Sequence, residues 1–288
     1  MQSGERLGLM SEWTATPTIR VTHQDFPQAV PLGPISIDAI PDVLAAYKSL
    51  PYILVLGLPR ASTKAAFHFF YKNFSDRAKV AHTHGLSPRF ERELADLGDA
   101  KKIVALERVR KLFKGAKRTL IVIPLRAPVS RIYSYYLYFN RDRIGSFFDE
   151  NTHTFADQAA IQADFDRFAL EEAVRECLWY GEELKDPFGL DLEDLPVATL
   201  DAPAVLEHGG RDFLFARSET LSETINALAN RVSGWNGTRL KRRNGVEELG
   251  LTDIARVFRK TFQFPASATS QLGQSGVVRR LYSYPTPL

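Results

Sequence analysis

The chain has 288 residues, 44% of them hydrophobic and 25% charged, with a formal net charge of +3. These values describe a globular chain with ample material for a core, and the small charge gives no argument for nucleic acid as a partner. The single cysteine, Cys177, excludes an intrachain disulfide. Zinc sites need several Cys or His ligands at close spacing, so we expect no metal.

The N-terminal part of the chain shows no pattern of a targeting signal. Its first ten residues lack the apolar core of a signal peptide, and no run of about 18 apolar residues occurs. We therefore expect a cytoplasmic protein without a stable membrane anchor. Residues 1–40, rich in Pro, Thr and polar groups, are expected to be a flexible arm, and residues 41–288 a single domain that begins with a short helix at 42–50.

An apolar run at 53–56, a turn and a helical pattern follow one another at the start of this domain. The run lacks alternation, as strands buried on both faces do, and Ser62 can cap the helix after it. The first amides of such a helix can hold a phosphate or sulfate, with Arg60 and Lys64 adding positive charge. An ordinary strand-turn-helix corner explains the pattern equally well.

The segment 78–85 predicts a second strand, which carries His82 and His84 and ends in a turn. Alternate residues of a strand share a face, so we expect both imidazoles to point the same way, beside the loop at 57–64. A histidine with a pKa of about 6.5 can accept a hydroxyl proton at neutral pH. The alternatives are a hydrogen-bonding role, half of a metal site, or Glu107 as the base.

A helix predicted at 104–114 leads into an apolar strand at 120–125, after which come Arg126, Arg131 and Ser134. Arg131 and Ser134 are three positions apart and so lie on one helical face. The three side chains can therefore converge on a second anion at the carboxyl end of the strand. Ordinary salt bridges of the two arginines are the alternative.

This alternation indicates an α/β fold with a P-loop-type, mostly parallel central sheet flanked by helices. A further strand is predicted at 213–216, followed by a helix at 220–229 and a mobile, glycine-rich loop at 233–250. Residues 149–195 hold fourteen acidic and three basic residues with helical spacing, which predicts a helical, acidic insertion. Its Trp179-Tyr180 pair can stack on a sugar or adenine ring, or form a buried aromatic pair.

Together and in this order, the two motifs resemble those of the PAPS-dependent sulfotransferase family. Its members carry a Pro-Lys/Arg-Ser-Gly-Thr-Thr loop for the cofactor's 5′-phosphosulfate and an Arg-(Asp/Glu)-Pro…Arg…Ser segment for its 3′-phosphate. Residues 59–64 match the first and residues 126–134 the second. The stretches at 179–191, 213–219 and 279–284 are similar to the bacterial branch linked to capsular polysaccharide synthesis.

The resemblance implies in-line transfer of a sulfuryl group from the nucleotide cofactor PAPS (3′-phosphoadenosine 5′-phosphosulfate) to a hydroxyl or amine, with a carbohydrate or glycoconjugate as acceptor. It places the general base at the end of the second strand, on His84 with His82 second, and it puts Lys64 beside the transferred group. The cofactor-binding residues that it implies are Pro59, Arg60, Ala61, Ser62, Thr63, Lys64, Arg126, Ser134, Arg279 and Arg280.

The chain also departs from the family's pattern. Ser62 replaces the usual Gly of the loop, and its Cβ restricts positive φ and close approach of the backbone to phosphate. Ala127 replaces the usual acidic residue, and Lys64 stands where Thr is common. These differences leave open a catalytically silent protein that binds carbohydrate or a sulfated ligand. A P-loop kinase is disfavoured because Gly57 is followed, after four residues, by Ser62-Thr63-Lys64 and not by Gly-Lys-Ser/Thr.

Overall fold

A computed structural model describes residues 52–74, 79–114, 119–194, 204–219, 221–222, 240 and 251–282. The strands are β1 (Tyr52–Leu56), β2 (Lys79–Thr83), β3 (Leu120–Leu125), β4 (Phe148–Asp149), β5 (Thr154–Phe155), β6 (Ala204–His208) and β7 (Arg211–Arg217). The helices are α1 (Thr63–Phe74), α2 (Pro88–Asp96), α3 (Ala100–Lys114), α4 (Pro128–Phe139), α5 (Arg141–Phe147), α6 (Gln158–Tyr180), α7 (Asp186–Phe188), α8 (Thr252–Thr261), α9 (Ala266–Gln274) and α10 (Gly276–Tyr282). A π-helical turn (Gly181–Lys185) joins α6 to α7.

Within these residues, five strands form a central sheet in the order β2-β1-β3-β7-β6. The strands β2, β1, β3 and β7 run parallel, and β6 pairs antiparallel with β7. The strands β4 and β5 form a separate two-stranded hairpin. The chain is therefore α/β, with a mostly parallel central sheet flanked by helices, as the alternation in the sequence predicts.

The central strands are apolar on both faces because helices cover both faces. Residues 53–56 and 120–123 have no exposed surface. Alternate residues go to opposite sides: Leu54 and Ile121 pack into one cluster, whereas Ile53 and Leu120 pack into the other. The lack of alternation that predicts these strands therefore has its physical cause in two separate cores.

Several predicted element boundaries are wrong. The helical segment begins at Gln158, where Asp157 caps it by accepting the amide of Ala160 at 3.4 Å, and the β4-β5 hairpin precedes it. The helix predicted from 104 starts at Ala100. Val104, the first residue of the predicted helix, is 47% exposed. The strand β6 is absent from the elements that the sequence predicts.

Trp179 and Tyr180 form a buried aromatic pair, with ring centroids 5.2 Å apart and planes nearly perpendicular. This arrangement leaves neither ring open for stacking on a sugar or an adenine. Of the remaining predictions, the arm at 1–40, the helix at 42–50 and most of the stretches at 220–229 and 233–250 lie outside the described residues. None of the described helices combines the length and apolar character needed to cross a bilayer.

Candidate functional site

The candidate site lies where four parallel strands end. The residue that follows each strand is Gly57 for β1, His84 for β2, Arg126 for β3 and Ser218 for β7. Neighbouring ends are joined by backbone hydrogen bonds: the Gly57 amide donates to the Thr83 carbonyl at 3.4 Å, and the Ser218 amide donates to the carbonyl that ends β3. The carboxyl edge of a parallel sheet is the usual place for ligands in α/β proteins.

The loop between β1 and α1 has a strained backbone at two positions. Arg60 has a φ of 69° and Ser62 a φ of 62°. In this left-handed region a Cβ costs about 1–2 kcal/mol. Ser62 occupies the position at which the resembled family has Gly, so here a serine adopts the conformation that glycine favours. Strain of this kind persists only where surrounding contacts enforce it, and it is concentrated at functional sites.

Contacts from two other strand ends hold this loop in place. The Arg126 guanidinium donates from Nη1 to the Arg60 carbonyl at 3.0 Å, and the Ser218 hydroxyl donates to the Ala61 carbonyl at 2.8 Å. The Ala61 amide donates to the Leu58 carbonyl at 3.3 Å. The loop then enters α1, whose first amides have no partner within the helix and can receive an anion.

The two predicted anion motifs are in direct contact. The Nε and Nη2 atoms of Arg60 both lie 3.3 Å from the hydroxyl oxygen of Ser134, a buried residue of α4. The Arg60 guanidinium also lies 4.7 Å from the ring centroid of Tyr138, one turn further along α4. Burial lowers the pKa of Arg60, but a guanidinium keeps its charge. The result is a positive charge beside a hydroxyl between the two motifs.

Arg131 does not join Arg126 and Ser134, so the predicted convergence of all three is wrong. It is fully buried, with Nε 2.6 Å from Glu176 and Nη1 3.1 Å from Glu172, both on α6. Burial opposes ionisation, but the two carboxylates raise the pKa of Arg131 above its ordinary value. This arginine therefore ties α4 to α6 and does not face an external anion.

His84 is held in one tautomer by the loop. Its Nδ1 lies 2.7 Å from the Gly57 carbonyl, which can only accept, so Nδ1 carries the hydrogen and Nε2 has the lone pair in the neutral ring. Burial lowers the pKa of His84; the bond to Gly57 opposes this shift, and the charges of Lys64 and Lys102 add to it. His84 is therefore neutral at pH 7 and able to accept a proton.

His82 lies against His84, with ring centroids 4.8 Å apart, so the two imidazoles occupy the same side of β2. Burial, followed by the neighbouring His84 and Lys64, lowers the pKa of His82 to about 3. Its buried Nε2 finds no hydrogen-bond partner among the described residues. A ring with so low a pKa is a weak base, which makes His82 a poor candidate for proton transfer.

Four further predicted residues lie on exposed parts of helices. Lys64 is exposed in the first turn of α1, close enough to both histidines to affect their pKa values. Glu107 is exposed on α3. Arg279 and Arg280 are exposed on α10, a helix that reaches β7 through the Leu281 carbonyl, which accepts from the Arg217 guanidinium at 3.5 Å.

Several residues at the site were not predicted from the sequence. Ser218 binds the loop, Glu219 accepts the Ala127 amide at 3.4 Å, and the hydroxyl of Ser130 accepts from Arg126 at 3.2 Å. The signal for the first two was available, because Ser218 and Glu219 are polar residues at the end of a predicted strand. Ser130 occupies an ordinary helical position, and nothing in the sequence around it indicates its contact with Arg126.

Within the described residues, no group of three or more His, Cys, Asp or Glu side chains is arranged to hold a metal ion. No protein-family model, curated protein or solved structure matches the chain.

Proposed function

We propose that the chain is a sulfotransferase that moves a sulfuryl group from PAPS to a hydroxyl or amine, with a carbohydrate or glycoconjugate as acceptor. The observation that carries this proposal is the contact between Arg60 and Ser134. It joins two motifs that each suit an anionic group, and a neutral histidine stands at the adjacent strand end. A nucleotide with phosphates at two positions requires such a pair of anion sites.

The cofactor-binding residues fall into two sets. The loop amides of residues 61–64, with Arg60 and Lys64, would hold the 5′-phosphosulfate, and β1 with α1 would form a phosphate loop of the P-loop type. Arg126 and Ser134 would hold the 3′-phosphate, and Arg279 with Arg280 would close over it. Residues 149–195 would be a helical insertion into this fold. PAPS supplies an activated sulfuryl group when bound.

The chain's own residues account for the proton transfer. His84 would accept the acceptor's proton at Nε2, because its Nδ1 hydrogen is already donated to Gly57. The lowered pKa of His84 keeps the ring unprotonated and so competent as a base. Lys64 would add positive charge beside the transferred group without becoming part of the proton path.

The second candidate is a silent binding protein of the same fold. It is favoured by Ser62, whose Cβ stands at a left-handed position next to the expected phosphate, and by Ala127, which replaces an acidic residue. A nucleotide kinase is less well supported, since the Gly-Lys-Ser/Thr sequence is missing. Binding of the product nucleotide favours the sulfotransferase over the kinase, and catalytic turnover with PAPS separates it from a silent binding protein.

Calorimetric titration with adenosine 3′,5′-bisphosphate, the product nucleotide, tests the proposal. We expect the wild-type protein to bind it and Arg126→Ala to bind at least about tenfold more weakly, because a charged hydrogen bond is lost. Arg143→Ala, which removes a surface arginine paired with Asp164, is the matched control and should bind normally. A folded protein that binds neither the bisphosphate nor ATP would contradict the proposal. Given binding, PAPS can be offered with candidate acceptors.

A further inference from the structure

The turn that follows His84 is fastened by one buried carboxylate. Glu183, on the π-helical turn after α6, is 2% exposed. Its Oε2 accepts the amide of Ser87 at 2.9 Å and also the amide of Leu86, and its Oε1 accepts the hydroxyl of Ser87 at 2.5 Å. Three donors from Leu86 and Ser87 therefore converge on one side chain, and Ser87 is also the N-cap of α2, where its hydroxyl accepts the Phe90 amide.

Two further contacts fix the same turn. The indole nitrogen of Trp179, on the last turn of α6, donates to the His84 carbonyl at 2.8 Å. From the other side, Arg110 donates to the carbonyls of Leu86 and Ser87, each at 2.9 Å. The backbone from residue 84 to residue 87 is therefore bound at each end by side chains from different helices.

Gly85 shows how closely Glu183 approaches this backbone. A Cβ at position 85 would lie 2.7 Å from Oε1 of Glu183 and 2.6 Å from the ring of Phe90. Ordinary side chains do not tolerate such distances, so this turn and the carboxylate fit one another only with glycine at position 85. Glu183 lies on a π-helical turn, a feature that occurs frequently at functional sites.

We propose that Glu183 is a positioning residue for His84. By fixing the turn directly after β2, it keeps Nδ1 of His84 on the Gly57 carbonyl and leaves Nε2 as the proton acceptor. The catalytic part of this inference rests on the proposed function, in which His84 is the general base. The structural part, the control of the His84 tautomer by Glu183, stands apart from any activity.

Glu183→Gln is the test, because it keeps the size of the side chain but replaces one acceptor oxygen with an amino group that cannot accept from an amide. Glu182→Gln is the matched control: it is the adjacent residue of the same turn, and its carboxylate makes a partly exposed ion pair with Arg89 at 3.2 Å. The direct measurement is the ¹⁵N spectrum of the His84 ring across pH, with its signals assigned by comparison with His84→Gln.

In the wild type and in Glu182→Gln we expect the Nδ1–H tautomer of His84. In Glu183→Gln we expect a mixture of tautomers and a pKa closer to about 6.5, the ordinary value for histidine. We expect kcat for sulfuryl transfer to fall at least tenfold, with the Kd for adenosine 3′,5′-bisphosphate changed less than twofold, because Arg126 and Ser134 are not touched.

The outcomes separate the two proposals. A wild-type protein that binds no bisphosphate overturns the sulfotransferase, while the ring spectrum still decides whether Glu183 controls His84. An unchanged tautomer and pKa in folded Glu183→Gln overturns the positioning role, even where activity falls. If that variant does not fold, Ser87→Ala removes one of the three donors and should shift the His84 spectrum less but in the same direction; no shift there also overturns the inference.

Discussion

The guanidinium of Arg60 and the hydroxyl of Ser134 share a hydrogen bond across 74 positions of sequence, with two nitrogens each 3.3 Å from the same oxygen. The serine oxygen accepts from the N–H groups of the guanidinium, so the hydrogen of the hydroxyl remains available for donation. A hydroxyl held in this way can donate to an incoming anion while the arginine supplies the charge. This pair gives the candidate site its most direct test.

Ser134→Ala should weaken binding of adenosine 3′,5′-bisphosphate by roughly tenfold, since one hydrogen bond to a charged group is worth about 1.5 kcal/mol. The Arg60 guanidinium keeps its contact with Tyr138, so we expect the fold to survive. Calorimetry on the variant and on Ser146→Ala, a serine exposed on α5, measures the effect. Equal affinity in both variants would remove Ser134 from the binding site.

Ser62→Gly should stabilise the protein by up to about 1 kcal/mol, because relief of a left-handed Cβ, about 1–2 kcal/mol, exceeds the entropy that glycine loses on folding. We also expect severalfold tighter binding of the bisphosphate. Ser62→Ala is the control, since it removes the hydroxyl and keeps the Cβ, and it should gain neither. Denaturant unfolding and calorimetry decide between them; a stabilised Ser62→Gly with no gain in binding indicates a pocket that no longer serves a nucleotide.

His82 should make the protein less stable in acid. Its pKa is lowered to about 3 in the folded chain, first by burial and then by His84 and Lys64, while the unfolded chain takes up a proton below about 6.5. Between these values the unfolded state binds more protons, so stability is lost as pH falls, by about 2 kcal/mol from pH 7 to pH 5. His82→Phe should lack this loss, whereas His153→Asn, at an exposed position, should keep it. Parallel stability curves for wild type and His82→Phe would refute the assignment.

Arg131→Met should cost about 3–5 kcal/mol of unfolding free energy, because it leaves the buried carboxylates of Glu172 and Glu176 without their counter-ion. Arg143→Met removes an arginine that is 47% exposed and paired with Asp164, and we expect it to lose less than about 1 kcal/mol. Chemical denaturation of both variants gives the comparison. A small loss at Arg131 would mean that α4 and α6 do not depend on this ion pair.

The sheet could be predicted because its strands carry local signals. The runs at 53–56 and 120–125 are apolar without alternation, and each ends at a turn that opens a helix. The position of His84 beside the loop is predictable as well, because neighbouring parallel strands end at one edge of a sheet. The antiparallel strand β6 was not predicted, although the sequence carries a signal for it. Gly209 and Gly210 form the glycine pair typical of a tight hairpin, and both have a positive φ, of 58° and 73°.

Other features depend on contacts between distant residues and leave no local pattern. Helical spacing places Arg131 near Ser134, but the direction of its guanidinium is decided by Glu172 and Glu176, more than 40 positions later. The left-handed conformation of Ser62 is enforced by its surroundings, against the preference of the residue itself. The hydrogen bonds between Glu183 and the turn at 84–87 likewise join segments nearly 100 positions apart.

The sheet order also has a consequence for how the chain reaches its native state. In β1 and β2, Tyr52 is paired with Lys79, whereas Leu120 of β3 must find Asp212 of β7, roughly 90 positions further along the chain. The entropy cost of closing a loop grows with the logarithm of its length, so the longer separation adds about 1 kcal/mol. We therefore expect β1 and β2 to associate before β3 and the β6-β7 hairpin join them, an order that stopped-flow refolding of strand variants can check.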